Sequence, residues 1–202
     1  HLRNDPGDSL VVDVAVVSPG AELLRPPRLY VRLRANPLFD PHRQLPPGFT
    51  QTGELVTGHV EGDSAIAPGG HWVHNRWAFD LPDTGFFYPG DRLHYYVEAG
   101  DVLAAEQRWT TLPADTTGFR DFGPLGKYDP DFVVRALPSI HDDHFGSQPD
   151  LLVWDDTGGQ PAWTRWLFAL RNLGFVEGLD YDLYVTRGAS SGVGNGLGGR
   201  AT

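Results

Sequence analysis

Glycine and proline together fill 42 of the 202 positions, so about one residue in five is loop punctuation. Short strands joined by many turns fit this spacing better than long helices do. Between the interruptions the apolar residues recur at period two, the signature of a half-buried strand. From Leu10, Val12, Val14 and Val16 alternate with Asp13, Ala15 and Val17 until Ser18-Pro19-Gly20 ends the run. Leu29 to Ala35 repeats the pattern, with Leu29, Val31 and Leu33 on one side and Tyr30, Arg32 and Arg34 on the other.

A proline-rich excursion, Asn36 to Gly48, reads as a surface loop or an edge crossing. Thr52 to Val60 and His71 to Leu81 make two further strands, the second with Val73, Trp77, Phe79 and Leu81 on one face. Tyr88-Pro89-Gly90-Asp91 is a turn before Leu93 to Ala99, and Gly100-Asp101 separates that strand from a last one near Gln107 to Thr111. Six or seven short strands over about 105 residues predict a mainly β chain whose residues 1–112 form an antiparallel β-sandwich. Residues 113–149 show little periodicity and scattered aromatics (Phe119, Phe122, Tyr128, Phe132), which predicts an inter-domain linker that packs in places. Phe132 to Leu137 could add a short strand to either neighbour before Pro138 ends it.

Residues 150–202 change character. Leu151-Leu152-Val153-Trp154 is a continuous apolar run, as expected of a strand buried on both faces. Pro161 suits a first helical turn; Trp163, Trp166, Leu167, Leu170 and Leu173 follow at helical spacing, and Gly174 supplies a stop. Tyr181 to Thr186 is a second strand, which a right-handed crossover would set parallel to the first. The expectation is a partial α/β (βαβ) unit followed by a glycine-rich tail, one piece of a larger molecule. Its open edge would be covered by another protein chain or by a downstream segment.

Two phrases resemble known modules. Phe87-Tyr88-Pro89-Gly90-Asp91-Arg92-Leu93-His94-Tyr95-Tyr96-Val97-Glu98-Ala99 is similar to immunoglobulin-like and fibronectin type III-like modules of large secreted bacterial proteins, over roughly residues 8 to 112. Pro149 to Asp156, with Gly178 to Tyr184, resembles the opening of flavodoxin-like or gingipain-like α/β domains that follow such modules. The resemblance implies a fold neighbourhood and no activity, because a gingipain-type peptidase needs a catalytic cysteine and this chain has none.

Composition narrows the classes further. A formal charge of -10 without a basic block argues against nucleic acid or an anionic membrane as partner. The lack of cysteine removes disulfides, thiolate metal sites and cysteine nucleophiles. No run approaches the ~18 apolar residues that span a bilayer. The chain opens on His1 rather than methionine, and Lys127 is its sole lysine, an arginine bias of GC-rich bacterial genomes. Extracellular or cell-surface location in a bacterium is the expectation.

Candidate chemistry is sparse. Asp155 and Asp156 stand at the carboxyl end of an α/β strand, where open sheets place ligands, and could hold magnesium or calcium. A cap plus a solvated carboxylate is the stronger reading, and the second aspartate of a haloacid-dehalogenase-like pair is replaced by Thr157. In His141-Asp142-Asp143-His144, His141 and Asp143 could point the same way on extended chain as ligands of a divalent cation, although a solvated linker is favoured. His71 and His74 fall on opposite sides of a strand. Gly194 to Gly199 matches G-x-G-x-x-G after Ser190-Ser191, but only Arg200 to Thr202 follow, too few for the helix that would face a phosphate. Trp72, Tyr88, Tyr95 and Trp109 could stack on a glycan, and core or cross-strand packing is the commoner fate of such rings. No G-x-S-x-G elbow is present. The leading expectation is a non-catalytic structural or adhesive segment. A hydrolase fragment whose α/β domain is completed elsewhere, and a carbohydrate-binding module, are the alternatives.

Overall fold

The alternation around Leu29 is realised as a strand whose odd residues are sealed and whose even residues are not, and the whole architecture grows from it. The computed structural model describes residues 9–67, 71–82, 85–123, 126–139, 147–155 and 161–185; for 65–67, 71–74, 130, 155, 161–164, 184 and 185 only the backbone is described. In chain order the strands are β1 (Leu10–Asp13), β2 (Glu22–Leu23), β3 (Arg28–Arg34), β4 (Thr50–Thr52), β5 (Leu55–Glu61), β6 (Asp63–Ala67), β7 (His71–Phe79), β8 (Arg92–Leu103), β9 (Glu106–Leu112) and β10 (Val133–Arg135). After them come β11 (Leu151–Asp155), helix α1 (Pro161–Asn172) and β12 (Tyr181–Val185). The described chain is mainly β, and its two larger sheets are antiparallel.

The larger sheet has seven strands ordered β10-β8-β3-β5-β4, with β2 and β9 also on β8. Its spine is β8, whose twelve residues pair with β3 and β2 along one edge and with β10 and β9 along the other. The smaller sheet is β1-β7-β6. One apolar cluster draws on both sheets. Leu29, Val31, Leu33, Val56, Leu93 and Val97 come from the large sheet, Phe79 from the small one, and Phe49 and Phe86 from the connections. Fully burying a Leu, Val or Phe side chain contributes roughly 1.5–3 kcal/mol, so this cluster supplies much of the drive to fold. Gly58 is required where Phe49 crosses β5, since a Cβ there would lie 2.4 Å from the ring.

Several expectations are revised. Thr52 to Val60 is not one strand: Gly53, at φ +58, turns the chain between β4 and β5. Gly100-Asp101 does not end a strand either. β8 runs through both residues and reverses at Ala104-Ala105, held in register by cross-strand pairs. The Trp109 ring lies on Gly100, where a Cβ would approach it to 2.6 Å, and Arg108 grips Asp101 with two bonds of 2.8 and 2.6 Å. An aromatic covering a strand glycine is a known means of keeping the strand.

The proline-rich excursion is more than a surface loop. Arg43 dives from it to Asp91, both side chains being at most 1% exposed. Asp91 also accepts the backbone N–H groups of Asn36 (2.6 Å) and Tyr88 (2.8 Å), so four donors fix the entry to β8. The stretch read as a linker contributes β10 and folds Phe119, Phe122 and Tyr128 onto the large sheet.

β11 and β12 pair in parallel in a separate two-stranded sheet, with α1 between them in the chain. The expectation that β11 is buried on both faces fails, because Leu151, Leu152 and Trp154 are exposed. No third strand pairs with this sheet among the described residues, and the run keeps exposed apolar side chains on both faces, Leu151 on one and Leu152 with Trp154 on the other. On α1 and just after it, Trp166, Phe168 and Leu173 are 64%, 66% and 73% exposed. No helix among the described residues is long and apolar enough to cross a membrane.

Candidate functional site

Side chains alternate across a strand, so the face of the large sheet opposite the core receives Tyr30, Arg32 and Arg34 from β3 and Arg92, His94 and Tyr96 from β8. Register sorts them into three neighbouring rungs. The first is aromatic: Tyr30 stacks on Tyr96 at 4.9 Å and tilts against His59 of β5 at 5.5 Å. In the second, Arg32 stands opposite His94. The third brings three arginines together, Arg34 opposite Arg92 and Arg92 opposite Arg135 of β10, with Leu55 of β5 on the other side of Arg34.

His94 is fully buried because the segment after β9 folds over it. Its ring is stacked on Phe122 (4.1 Å) and on Tyr128 (4.9 Å), and Nδ1 lies 3.1 Å from the Phe119 carbonyl. Nδ1–H therefore donates, and Nε2 is left as a buried acceptor with no partner among the described residues. Burial first, and the Arg92 guanidinium second, bring the His94 pKa down to about 3, so the imidazole is neutral. The Tyr128 hydroxyl, donating to the Tyr95 carbonyl at 2.7 Å, is pushed up by burial.

The arginine rung is unevenly neutralised. Arg34 pairs with Glu54 at 3.3 Å and Arg135 pairs with Glu177, which lies just before β12. Arg92 makes no ion pair among the described residues, and its buried Nε has no hydrogen-bond acceptor; the buried Nε of Arg32 lacks one too. Burial, reinforced by Arg135, pulls Arg92 down to about 10. Tyr181 of β12 is buried beside this cluster, and its hydroxyl is raised by burial and by Glu177. Ser139 N–H donates to Asp182 Oδ2 at 3.0 Å, a second tie between β12 and the chain that follows β10.

Most of the residues singled out from sequence have no described side chain. Asp155 ends β11, where its backbone pairs with Val185, and its side chain is not described. Asp156, His141 and Asp143 lie outside the described residues, as do Ser190, Ser191 and the Gly194 to Gly199 run. No group of three or more His, Cys, Asp or Glu side chains stands together as a metal site among the described residues. The described aromatic candidates, Tyr88, Tyr95 and Trp109, do not share a platform. Tyr95 is buried on the core face, Tyr88 stacks on Phe39 and donates to the His42 carbonyl, and Trp109 lies against Gly100 under Arg25. The side chain of Trp72 is not described.

Sequence reasoning passed over Arg32, Arg34, Arg92 and Arg135. The signal available was the run of polar residues at even positions of β3 and β8; the strand register that brings them together is not written locally. Comparison with protein-family models, with curated proteins and with solved structures finds no match to this chain.

Proposed function

We propose that the chain is a non-catalytic structural or adhesive module of a secreted or surface-attached bacterial protein, an immunoglobulin-like sandwich that carries a βαβ unit for further polypeptide to cover. The observation that carries this reading is the contrast between two regions. Between Leu29 and Val134 thirteen residues seal one core and few large apolar side chains are exposed, whereas Leu151, Leu152, Trp154, Trp166, Phe168 and Leu173 stand in solvent. Large apolar side chains left exposed in such number along one stretch of chain mark a place where another segment packs. The open edges of a two-stranded sheet invite strand addition as well.

Support for the sandwich comes from the apolar cluster shared by two antiparallel sheets, and support for the α/β reading from the parallel pairing across α1. The ion pair of Arg135 with Glu177 would brace the second unit against the first.

Light scattering and dye binding test the reading. The chain should self-associate and bind an apolar dye at micromolar concentration, and combining Leu152→Asp with Trp166→Glu should abolish both. The thermal midpoint of the sandwich should stay unchanged, because neither residue belongs to its core. A monodisperse parent chain that binds no dye, or turnover of peptide, ester or glycan by this chain alone, would overturn the proposal.

A further inference from the structure

The polar face of the large sheet gathers positive charge that the described carboxylates do not balance. Arg34, Arg92 and Arg135 oppose one another across three adjacent strands, and Arg32 sits two residues along β3 on the same face. Like charges placed directly opposite across strands destabilise a sheet, so such a rung needs a compensating partner. Glu54 compensates Arg34 and Glu177 compensates Arg135. Arg32 and Arg92 have no carboxylate partner among the described residues, and each keeps a buried Nε–H with no acceptor. Leaving a buried donor unsatisfied is unfavourable, more so for a charged group, so two on one face call for a partner that fills them. This happens in a chain that carries ten negative charges in excess and has carboxylates to spare.

The chemistry of the missing partner follows from the donors. A guanidinium is planar, stays charged at any physiological pH and presents five N–H groups in a fork that suits the oxygens of an oxyanion. Arg32 and Arg92 are the two guanidiniums without an ion pair among the described residues, and a dianion matches two such charges where a monocarboxylate does not. The donors arrive from β3, β8 and β10, so they suit a tetrahedral group with several free oxygens better than a flat one. Arg34 and Glu54 are each about half exposed, which gives solvent access to the rung from one side, while Arg135 is largely covered. Arg92, depressed by burial and by Arg135, is the guanidinium that a bound dianion would relieve most.

We propose that Arg34, Arg92 and Arg135, with Arg32 beside them, form a binding site for a phosphate group. This goes beyond the structural reading and does not depend on it, since the site lies on the sandwich and not on the exposed apolar surface. The phosphate can be the free ion or the terminal group of a phosphorylated small molecule, and the two sources are separable.

The full chain is titrated with inorganic phosphate and, separately, with phenyl phosphate, each against sodium chloride at matched ionic strength. Binding is read from phosphorus NMR line width and from the thermal midpoint. Saturable broadening and a rise in midpoint that chloride does not reproduce are expected, because a ligand that binds only the folded state stabilises it. Arg92→Gln should weaken binding by about tenfold or more, as loss of a charge-assisted hydrogen bond does. Arg108→Gln, whose guanidinium is taken by Asp101 elsewhere on β8 and β9, should bind as the parent does. Arg32→Gln serves as a second site variant should Arg92→Gln not fold. Phenyl phosphate binding about tenfold tighter than the free ion assigns the site to a larger phosphorylated ligand, and equal affinity assigns it to the ion. A midpoint rise matched by chloride, or phosphate affinity unchanged in both Arg92→Gln and Arg32→Gln, overturns the site.

Discussion

Acid should unfold this protein through His94, and the size of the effect can be worked out beforehand. The ring is fully buried between Phe122 and Tyr128, its Nδ1–H is committed to the Phe119 carbonyl, and its Nε2 faces no acceptor among the described residues that could share a second proton. In the folded chain it titrates at about 3, and in the unfolded chain near the ordinary histidine value of about 6.5. Because the folded value is the lower one, the unfolded state binds the proton first as pH falls. Stability is therefore intact above about 6.5 and declines from there towards about 3. Linkage between those two values makes the loss from this one ring about 2 kcal/mol at pH 5 and about 3 kcal/mol at pH 4. Domains of this size have only roughly 5–15 kcal/mol in total, so the loss is readily measurable. Urea unfolding followed by tryptophan fluorescence, at intervals from pH 7.5 to pH 4, compares the parent with His94→Phe. The phenyl ring keeps the stack and cannot titrate. The variant should be weaker than the parent at pH 7.5, where the bond to Phe119 is lost, yet lose less stability on acidification by the amounts above. Carboxylates and the remaining histidines titrate in both proteins and cancel in the difference. Parallel stability curves for the two proteins would refute the reasoning, since His94 would then accept a proton without leaving its cage.

Three further substitutions have outcomes set by the same physics. Asp91→Ala leaves the buried Arg43 with only the longer pair to Asp40, at 3.3 Å, and removes the acceptor of two backbone N–H groups, so it should cost about 3–5 kcal/mol in urea unfolding. Asp13→Ala breaks only an exposed pair with Arg76 and should leave the midpoint where it is. At the β8–β9 turn, Ala104 and Ala105 both hold positive φ, +50 and +69, the geometry that favours asparagine followed by glycine. The double substitution Ala104→Asn with Ala105→Gly should raise stability by about 1–2 kcal/mol with an unchanged denaturant slope in urea unfolding.

How far the fold was legible depends on how local its cause is. The sides of β3 could be read from Leu29, Val31 and Leu33 because alternation is a property of the strand itself. The β8–β9 hairpin could not. Its sequence places the turn formers at Gly100-Asp101 and alanines at the true turn, and the register is decided by Trp109 on Gly100 and Arg108 on Asp101. Cross-strand packing outweighs turn propensity there, and it acts between residues that are neighbours only after folding. The stretch after β9 looked irregular for a related reason: Phe119, Phe122 and Tyr128 follow no period because they dock on His94 and Tyr96 of β8.

The candidate site divides the same way. The amino-acid order by itself determined that Arg32 and Arg34 share one face of a strand, that Arg92 and His94 share one face of another, and that no cysteine chemistry is available. Only the tertiary structure decided that Arg34, Arg92 and Arg135, far apart along the chain, stand on one rung, and that described carboxylates pair with only two of the four guanidiniums. Side-chain direction along a strand follows from backbone stereochemistry, whereas the register between strands is set by the sum of many distant contacts. A charge is therefore readable from its own residue, and its surplus only from the neighbours that folding brings to it.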